Sequence, residues 1–356
     1  MIKRRISKQI SIGDVKIGGN APISVQTMCN TDTRDVKATL NQIKEFEQAG
    51  CDIVRLAVLN KEAAESIKEI VKKSNLPLVA DIHFDYRLAI RCIENGIHAL
   101  RINPGNIGKR EHTEKVVNLA KANNIPIRIG INAGSLEKEL KARTDLTLAE
   151  KMVESAFGHI RILEDMNYDN IKISLKSSDV QTTLEAYRLI AQKVDYPLHV
   201  GVTEAGTLKR GLIKSSVGIG TLLAEGIGDT IRVSLTENPV EEVYAGWEIL
   251  KSLDLRSRGV NFISCPTCGR TQIDLISLAK QVEEKFANLD MPITIATMGC
   301  PVNGPGEASS ADYGIAGAIG EGYIFKKGKI ILSRIPEKDL LNELEKVIMA
   351  DFSEKE

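Results

Sequence analysis

Along the first two thirds of the chain, short runs of β-branched and aliphatic residues alternate with amphipathic stretches, and a turn closes each run. Eight such runs predict strands at 23–28, 53–58, 78–83, 99–103, 127–132, 171–176, 198–204 and 231–236. Helical patterns follow them, for example at 35–49, 62–73, 113–122 and 182–193. Eight strand–helix units in about 250 residues have the size and rhythm of a (β/α)8 TIM-type barrel. A doubly wound open sheet usually has fewer units and a phosphate-loop fingerprint near its start. Residues 10–19 read as a hairpin turning at Gly13-Asp14 that could close the barrel bottom.

The rhythm changes after a linker at 256–261. A helix (273–287), a strand (293–297), a Gly/Pro-rich loop, strands at 313–317 and 323–333 and a last helix (337–350) predict a small α+β domain. The expected division is a barrel over 1–255 and a second domain over 262–356.

Strand side chains alternate between the helix layer and the barrel interior. One face here is apolar: Ile127, Ile129 and Ile131; Ile171, Ile173 and Leu175; Ile231, Val233 and Leu235. The opposite face carries Arg55, Asp81, His83, Arg101, Asn103, Arg128, Gly130, Asn132, Lys172, Ser174, Lys176, His199, Gly201, Thr203, Arg232, Ser234 and Thr236, with Glu204 at a strand end. Ordinary barrels fill it with Val, Ile and Leu. Arg55, Arg101, Arg128, Lys172 and Arg232 would repel one another there unless acids or an anion join them. Acidic candidates on these faces are few, Asp81 and Glu204. A polyanion is therefore favoured, because guanidinium forks suit phosphate oxygens, and two phosphates match five cations better than one carboxylate.

Composition narrows the partners. The 356 residues exceed one ordinary core, and 47 basic residues balance 47 acidic ones. The neutral balance speaks against general nucleic-acid binding. The basic start, Met1 to Ile6, lacks the apolar stretch of a signal peptide, and no apolar run is long enough to span a membrane. Six cysteines in a chain this long suit a reducing cytoplasm.

Cys265-Pro-Thr-Cys268-Gly and Gly299-Cys300-Pro-Val-Asn-Gly-Pro-Gly-Glu307 hold three of those cysteines. Cys-x-x-Cys with a distant Cys-Pro matches four-iron cluster ligation. The thiolates stop at three, and the nearest further donor is the Glu307 carboxylate. An oxygen ligand that can exchange suits Lewis-acid chemistry. Structural zinc is the alternative, although no histidine follows His199. A Cys265–Cys268 redox disulfide lacks a thioredoxin-like setting. Cys51 and Cys92 read as small core residues, Cys29 as a bystander, and His98, His112 and His159 as structural or exposed. Asn103-Pro-Gly-Asn106 reads equally as an anion nest or a tight turn.

At these residues the chain resembles the bacterial 4-hydroxy-3-methylbut-2-enyl diphosphate synthase family of the non-mevalonate isoprenoid pathway, over essentially its whole length. The most specific matches are residues 265–271 and 299–307. Supporting matches are 24–28, 80–84, 100–106, 128–132, 201–206 and 231–235.

The resemblance implies a second domain similar to sulfite reductase repeats, and a [4Fe–4S] cluster held by Cys265, Cys268, Cys300 and Glu307. It implies 2-C-methyl-D-erythritol 2,4-cyclodiphosphate as substrate, opened and dehydroxylated with two electrons from flavodoxin or ferredoxin. Arg55, Arg101, Arg128, Lys172 and Arg232 would clamp the diphosphate, with Asp81, Asn103, Asn132, Ser174 and Ser234 around it. Glu204 is the first candidate for proton transfer, with His83 and His199 as second choices. The family further implies a homodimer in which each cluster domain caps the partner's barrel. Two other readings stay open: a cluster-carrying electron-transfer protein whose barrel binds a phosphorylated regulator, and a non-redox phosphate-binding barrel like the pterin-type synthases.

Overall fold

The computed structural model describes residues 2–287, 289–301 and 308–353. The chain divides into two compact units, Met1–Arg256 and Ser257–Glu356.

The first unit opens with the hairpin β1 (Ile10–Ile12) and β2 (Val15–Ile17), turning through Gly13 at φ +57°. Eight parallel strands follow: β3 (Ser24–Met28), β4 (Ile53–Ala57), β5 (Leu78–Asp81), β6 (Ala99–Arg101), β7 (Ile127–Asn132), β8 (Ile171–Lys176), β9 (His199–Val200) and β10 (Thr230–Ile231). Each pairs with its neighbour in chain order, β10 returns to β3, and an Ile173–Leu198 bridge joins β8 to the segment entering β9. The helices are α1 (Val36–Gln48), α2 (Lys61–Lys73), α3 (Tyr86–Glu94), α4 (Arg110–Ala122), the short α5 (Lys138–Ala142), α6 (Leu148–Glu164), α7 (Val180–Ala191), α8 (Leu208–Ala224) and α9 (Pro239–Ser252).

Burial follows the alternation in the sequence. Ile127, Ile129, Ile131, Ile171, Ile173 and Leu175 join one core with helix residues such as Phe46, Ile67, Met152 and Leu222. Removing this apolar surface from water, at about 25 cal/mol per Å2, is the main force holding helices to strands. The hairpin packs Ile10, Ile12 and Ile17 against Ile53, Val79 and Ala99, which plugs the barrel bottom. The basic start of the chain is bonded there as well. Arg5 donates to the carbonyls of Ala191, Val194 and Tyr196, while Arg4 and Ser7 donate to Asp229.

Strands β9 and β10 are far shorter than the predicted 198–204 and 231–236. Their continuations keep single bonds, Arg232 N–H to Val200 O at 2.9 Å and Thr203 N–H to Ser177 O at 3.1 Å, without a ladder.

The second unit is a mixed sheet in the order β11 (Asn261–Ser264), β12 (Thr294–Met298), β13 (Tyr313–Ala318), β14 (Glu321–Lys326) and β15 (Lys329–Pro336). The first three strands are parallel and the rest antiparallel. Helices α10 (Leu275–Phe286) and α11 (Leu340–Ser353) bring Val282, Phe286, Leu344 and Ile348 to Ile295, Ile315 and Ile324. The predicted strand 323–333 is in fact parts of β14 and β15. Lys327 and Gly328, at φ +48° and +74°, turn the chain between them. Among the described residues no helix is long and apolar enough to cross a membrane.

Candidate functional site

The interior of the barrel is a ring of charge. Arg55, Asp81, Arg101, Arg128 and Lys172 stand on five adjacent strands, and the register pairs Asp81 with Arg101, Arg101 with Arg128, and Arg128 with Lys172. Asp81 lies 3.6 Å from Arg55 and accepts a hydrogen bond from Arg101 at 3.2 Å. Burial alone would raise the Asp81 carboxyl, but Arg55, His83 and Arg101 outweigh it and hold it well below the usual carboxylate range. Burial lowers Arg55 to about 10, with Asp81 acting in the opposite direction.

The expected scarcity of acids needs one correction. Glu242, a buried carboxylate on α9, reaches Arg232 at 3.3 Å and also accepts from the Thr27 hydroxyl and the Leu235 amide. The sequence did carry a signal for it. Pro239, Glu242, Val243, Gly246 and Leu250 form the buried stripe of that helix, and Glu242 sits inside it.

The acids do not satisfy every cation. Arg128 Nε and Nη1, Arg101 Nε and Lys172 Nζ are buried without a hydrogen-bond partner among the described residues. Lys172 is only 2% exposed. Burial first, and then the neighbouring Arg128, pushes the Lys172 amine well below the ordinary lysine range. Lys176 at the end of β8 is a sixth interior basic side chain, 6% exposed and with Nζ 3.3 Å from His199 Nε2. Two glycines make room for this ring. A Cβ on Gly130 would lie 2.7 Å from Arg101 Nε, and one on Gly201 would lie 2.8 Å from Lys176 Nζ.

The remaining predicted residues separate by position. Asn103 spends its amide on the Gly130 backbone, donating at 3.1 Å and accepting at 2.9 Å. The amides of the following turn, Pro104–Asn106, are already engaged: Gly105 N–H donates to His159 Nδ1 on α6 and Asn106 N–H to Asn103 O. It is a tight turn, not an open anion nest. Ser174 bonds weakly to Ile129 O at 3.4 Å. His199 is fully buried, with Nδ1 2.5 Å from Thr230 Oγ1. At the C-terminal ends of the strands, Asn132 and Ser234 are half-buried and His83 is half-exposed beside Asp81 at 3.5 Å. Glu204 is exposed and holds φ +52°, a left-handed backbone that a non-glycine residue rarely adopts.

In the second unit, Cys265 is half-buried, Cys268 exposed and Cys300 buried, all as free thiols. Gly299 N–H points at Cys265 Sγ (3.2 Å) and Arg270 N–H at Cys268 Sγ (3.4 Å). The Arg270 backbone and side chain lower the Cys268 thiol. Gln272 N–H donates to Gly299 O, so the Cys265–Cys268 loop adjoins the segment carrying Cys300. Amide donors aimed at sulfur on adjoining loops fit thiolates that hold an iron–sulfur group. Among the described residues, no three His, Cys, Asp or Glu side chains form a single-ion site. Glu307 lies outside the described residues. Cys29, Cys51 and Cys92 are buried in the barrel, and burial pushes each thiol up to about 12.

Residues 7–247 match the family model described as the GcpE TIM-barrel domain, and residues 261–350 match the GcpE protein C-terminal domain. The chain belongs to the GcpE family. One GcpE relative, from Clostridium perfringens, is 58% identical over 347 residues, covering 98% of this chain and 99% of that protein, and is named 4-hydroxy-3-methylbut-2-en-1-yl diphosphate synthase (flavodoxin). A relative of the same name from Geobacter sulfurreducens is 58% identical over 346 residues, covering 96% of this chain and 98% of that protein. The barrel is also similar in fold to a dihydropteroate synthase from Stenotrophomonas maltophilia, with a TM-score of 0.53 at 12% identity over 70% of this chain and 98% of that one.

Proposed function

We propose that this GcpE chain reduces 2-C-methyl-D-erythritol 2,4-cyclodiphosphate to (E)-4-hydroxy-3-methylbut-2-enyl diphosphate, with flavodoxin or ferredoxin as electron donor. The observation that carries the reading is the set of basic nitrogens on Arg128, Arg101 and Lys172 that find no hydrogen-bond partner among the described residues inside the barrel. Unpaired buried charge is costly, and an anion with two phosphates relieves it.

In this reading Arg55, Arg101, Arg128 and Arg232 bind the diphosphate, and Lys172 and Lys176 add positive field from within the barrel. Asn132 and Ser234 offer hydrogen bonds at the strand ends. Asn103 holds the Gly130 backbone, and so keeps β7 in place beside Arg101. Asp81 orients Arg55 and Arg101. When the ring C–O bond breaks, the freed diphosphate gains one negative charge. Cations already in place stabilise that charge without reorganising solvent. Glu204 stands at the mouth to move the proton that lets a hydroxyl leave as water, with His83 next in line.

Cys265, Cys268, Cys300 and Glu307 would hold the [4Fe–4S] cluster, which when bound supplies the two electrons one at a time. A homodimer in which each cluster domain serves the partner's barrel belongs to the same proposal.

The test is anaerobic purification, one-electron reduction of the protein with dithionite, and electron paramagnetic resonance. The reading expects a four-iron signal that shifts when the cyclodiphosphate is added. A zinc-loaded protein, or a cluster signal indifferent to the cyclodiphosphate, overturns it.

A further inference from the structure

Among the described residues, no carboxylate is bonded to Lys176. Its Nζ packs over the Gly201 backbone and meets His199 Nε2 at 3.3 Å. His199 in turn approaches Thr230 Oγ1 through Nδ1 at 2.5 Å. A neutral imidazole with its proton on Nδ1 donates to Thr230 and leaves the Nε2 lone pair facing the lysine. Two basic nitrogens at that distance in a buried space do not both hold an added proton.

The charges facing the pair come from every neighbouring strand. They are the guanidinium cations of Arg128 on β7, Arg55 on β4 and Arg232 beyond β10, together with the Lys172 amine on β8. Glu242 on α9 is the acid whose field reaches Lys176, and it is bonded to Arg232, Thr27 and Leu235. Asp229, which faces Lys172, is bonded to Ser7 and Leu198. Burial first, and then this crowd of cations, holds Lys176 and His199 well below their ordinary ranges.

We infer that Lys176 and His199 form a proton-accepting pair that takes up one proton from solvent when the anionic substrate enters the barrel. His199 is then a positioning residue: it touches no substrate and acts by accepting the Lys176 N–H. An entering diphosphate adds negative charge, Lys176 becomes an ammonium, and one N–H stays on His199 while the others are free for the anion. No bond other than N–H changes, and solvent supplies the proton. The inference rests on reading the barrel as the diphosphate site.

Linkage sets the measurable consequence. Binding that takes up a proton weakens as pH rises, by about tenfold per unit for one proton. Calorimetric titration of the intact, cluster-loaded protein with the cyclodiphosphate, repeated at one pH in buffers of different ionisation enthalpy, counts that proton directly. Uptake of about one proton per ligand at pH 7.5 is expected. Lys176→Arg keeps a cation but has no neutral form, so uptake should fall to near zero while binding persists. His199→Gln, which lacks a second base, should reduce uptake to less than half and flatten the pH dependence of binding. It serves as the test if the arginine variant does not fold. Binding without proton uptake, or uptake unchanged in either variant, overturns the proton pair and leaves the diphosphate reading standing. Failure of the parent protein to bind the cyclodiphosphate overturns both.

Discussion

Arg232 donates from Nε to Glu242 Oε2 at 3.3 Å, which ties the end of the strand series to the first turn of α9. The carboxylate is buried and also holds Thr27 on β3 and the Leu235 amide. Removing one partner of a buried pair leaves the other charge unpaired. Glu242→Ala should therefore cost about 3 kcal/mol of unfolding free energy, and Glu242→Gln roughly half of that, because the amide still bonds Thr27. Urea unfolding of the two variants measures this. Stabilities within ~0.5 kcal/mol of the parent would mean that the pair does not hold the barrel together.

Arg128 should behave in the opposite way. Its Nε and Nη1 have no hydrogen-bond partner among the described residues. Arg128→Leu removes an unsatisfied cation, so stability should stay equal or rise. Binding of the cyclodiphosphate should weaken by about 30-fold or more, equivalent to ~2 kcal/mol, since it loses a buried charge contact. Thermal unfolding and calorimetry on one preparation separate the two effects. A variant that loses stability and keeps affinity would place Arg128 in the scaffold.

Glu204 carries a strained backbone at φ +52°. Such strain, held in the loop that follows β9, suits a functional residue. Glu204→Gly relieves it, so the unfolding free energy should hold or rise by up to ~1 kcal/mol while turnover collapses. Glu204→Gln keeps the shape and removes the proton carrier, and kcat should fall by about 10²- to 10⁴-fold with a small change in KM. Steady-state kinetics of the glutamine variant decide the point; near-parent kcat would remove Glu204 from proton transfer.

The buried lysines set a pH dependence of stability. Lys172 is held well below the ordinary lysine range when folded, by burial and then by Arg128. The unfolded chain titrates near the usual value of about 10.4, so between the two values it binds more protons than the folded one. Stability should rise with pH through neutrality and level off near pH 10, at about 1.4 kcal/mol per unit for each such lysine. Lys172→Met should be more stable near pH 7, with the slope reduced by about that amount. Guanidinium unfolding at pH 7, 8 and 9 reads the slope, and an unchanged slope would show a charged Lys172 in the folded state.

Much of the barrel was legible because its strands alternate so regularly. Ile127, Ile129 and Ile131 against Arg128, Gly130 and Asn132 state both faces at once, and the buried core follows that division. The cationic interior was visible for the same reason. Charge compensation was harder to read, because Glu242 comes from a helix and its partner Arg232 is ten residues away on another element. Lys176 was on the right face, but its meeting with His199 depends on Gly201 leaving space, which no one-dimensional pattern records. The short β9 and β10 are less regular than their sequence suggests: a Cβ on Gly201 would lie 2.4 Å from the Arg232 carbonyl, a close approach of the two segments that only glycine allows. In the second unit, Lys327-Gly328 reads as strand interior because apolar runs, 323–325 and 330–332, stand on both sides of the turn.

The central claim is that this barrel presents a cyclic diphosphate for two-electron reductive opening. Anaerobically purified, cluster-loaded protein should be mixed with 2-C-methyl-D-erythritol 2,4-cyclodiphosphate and chemically reduced flavodoxin, and the organic diphosphates followed by phosphorus NMR. Loss of the cyclic signals, appearance of a linear allylic diphosphate, and two flavodoxin electrons consumed per molecule opened are expected. A cyclodiphosphate that survives intact beside fully reduced donor and a loaded cluster would contradict it.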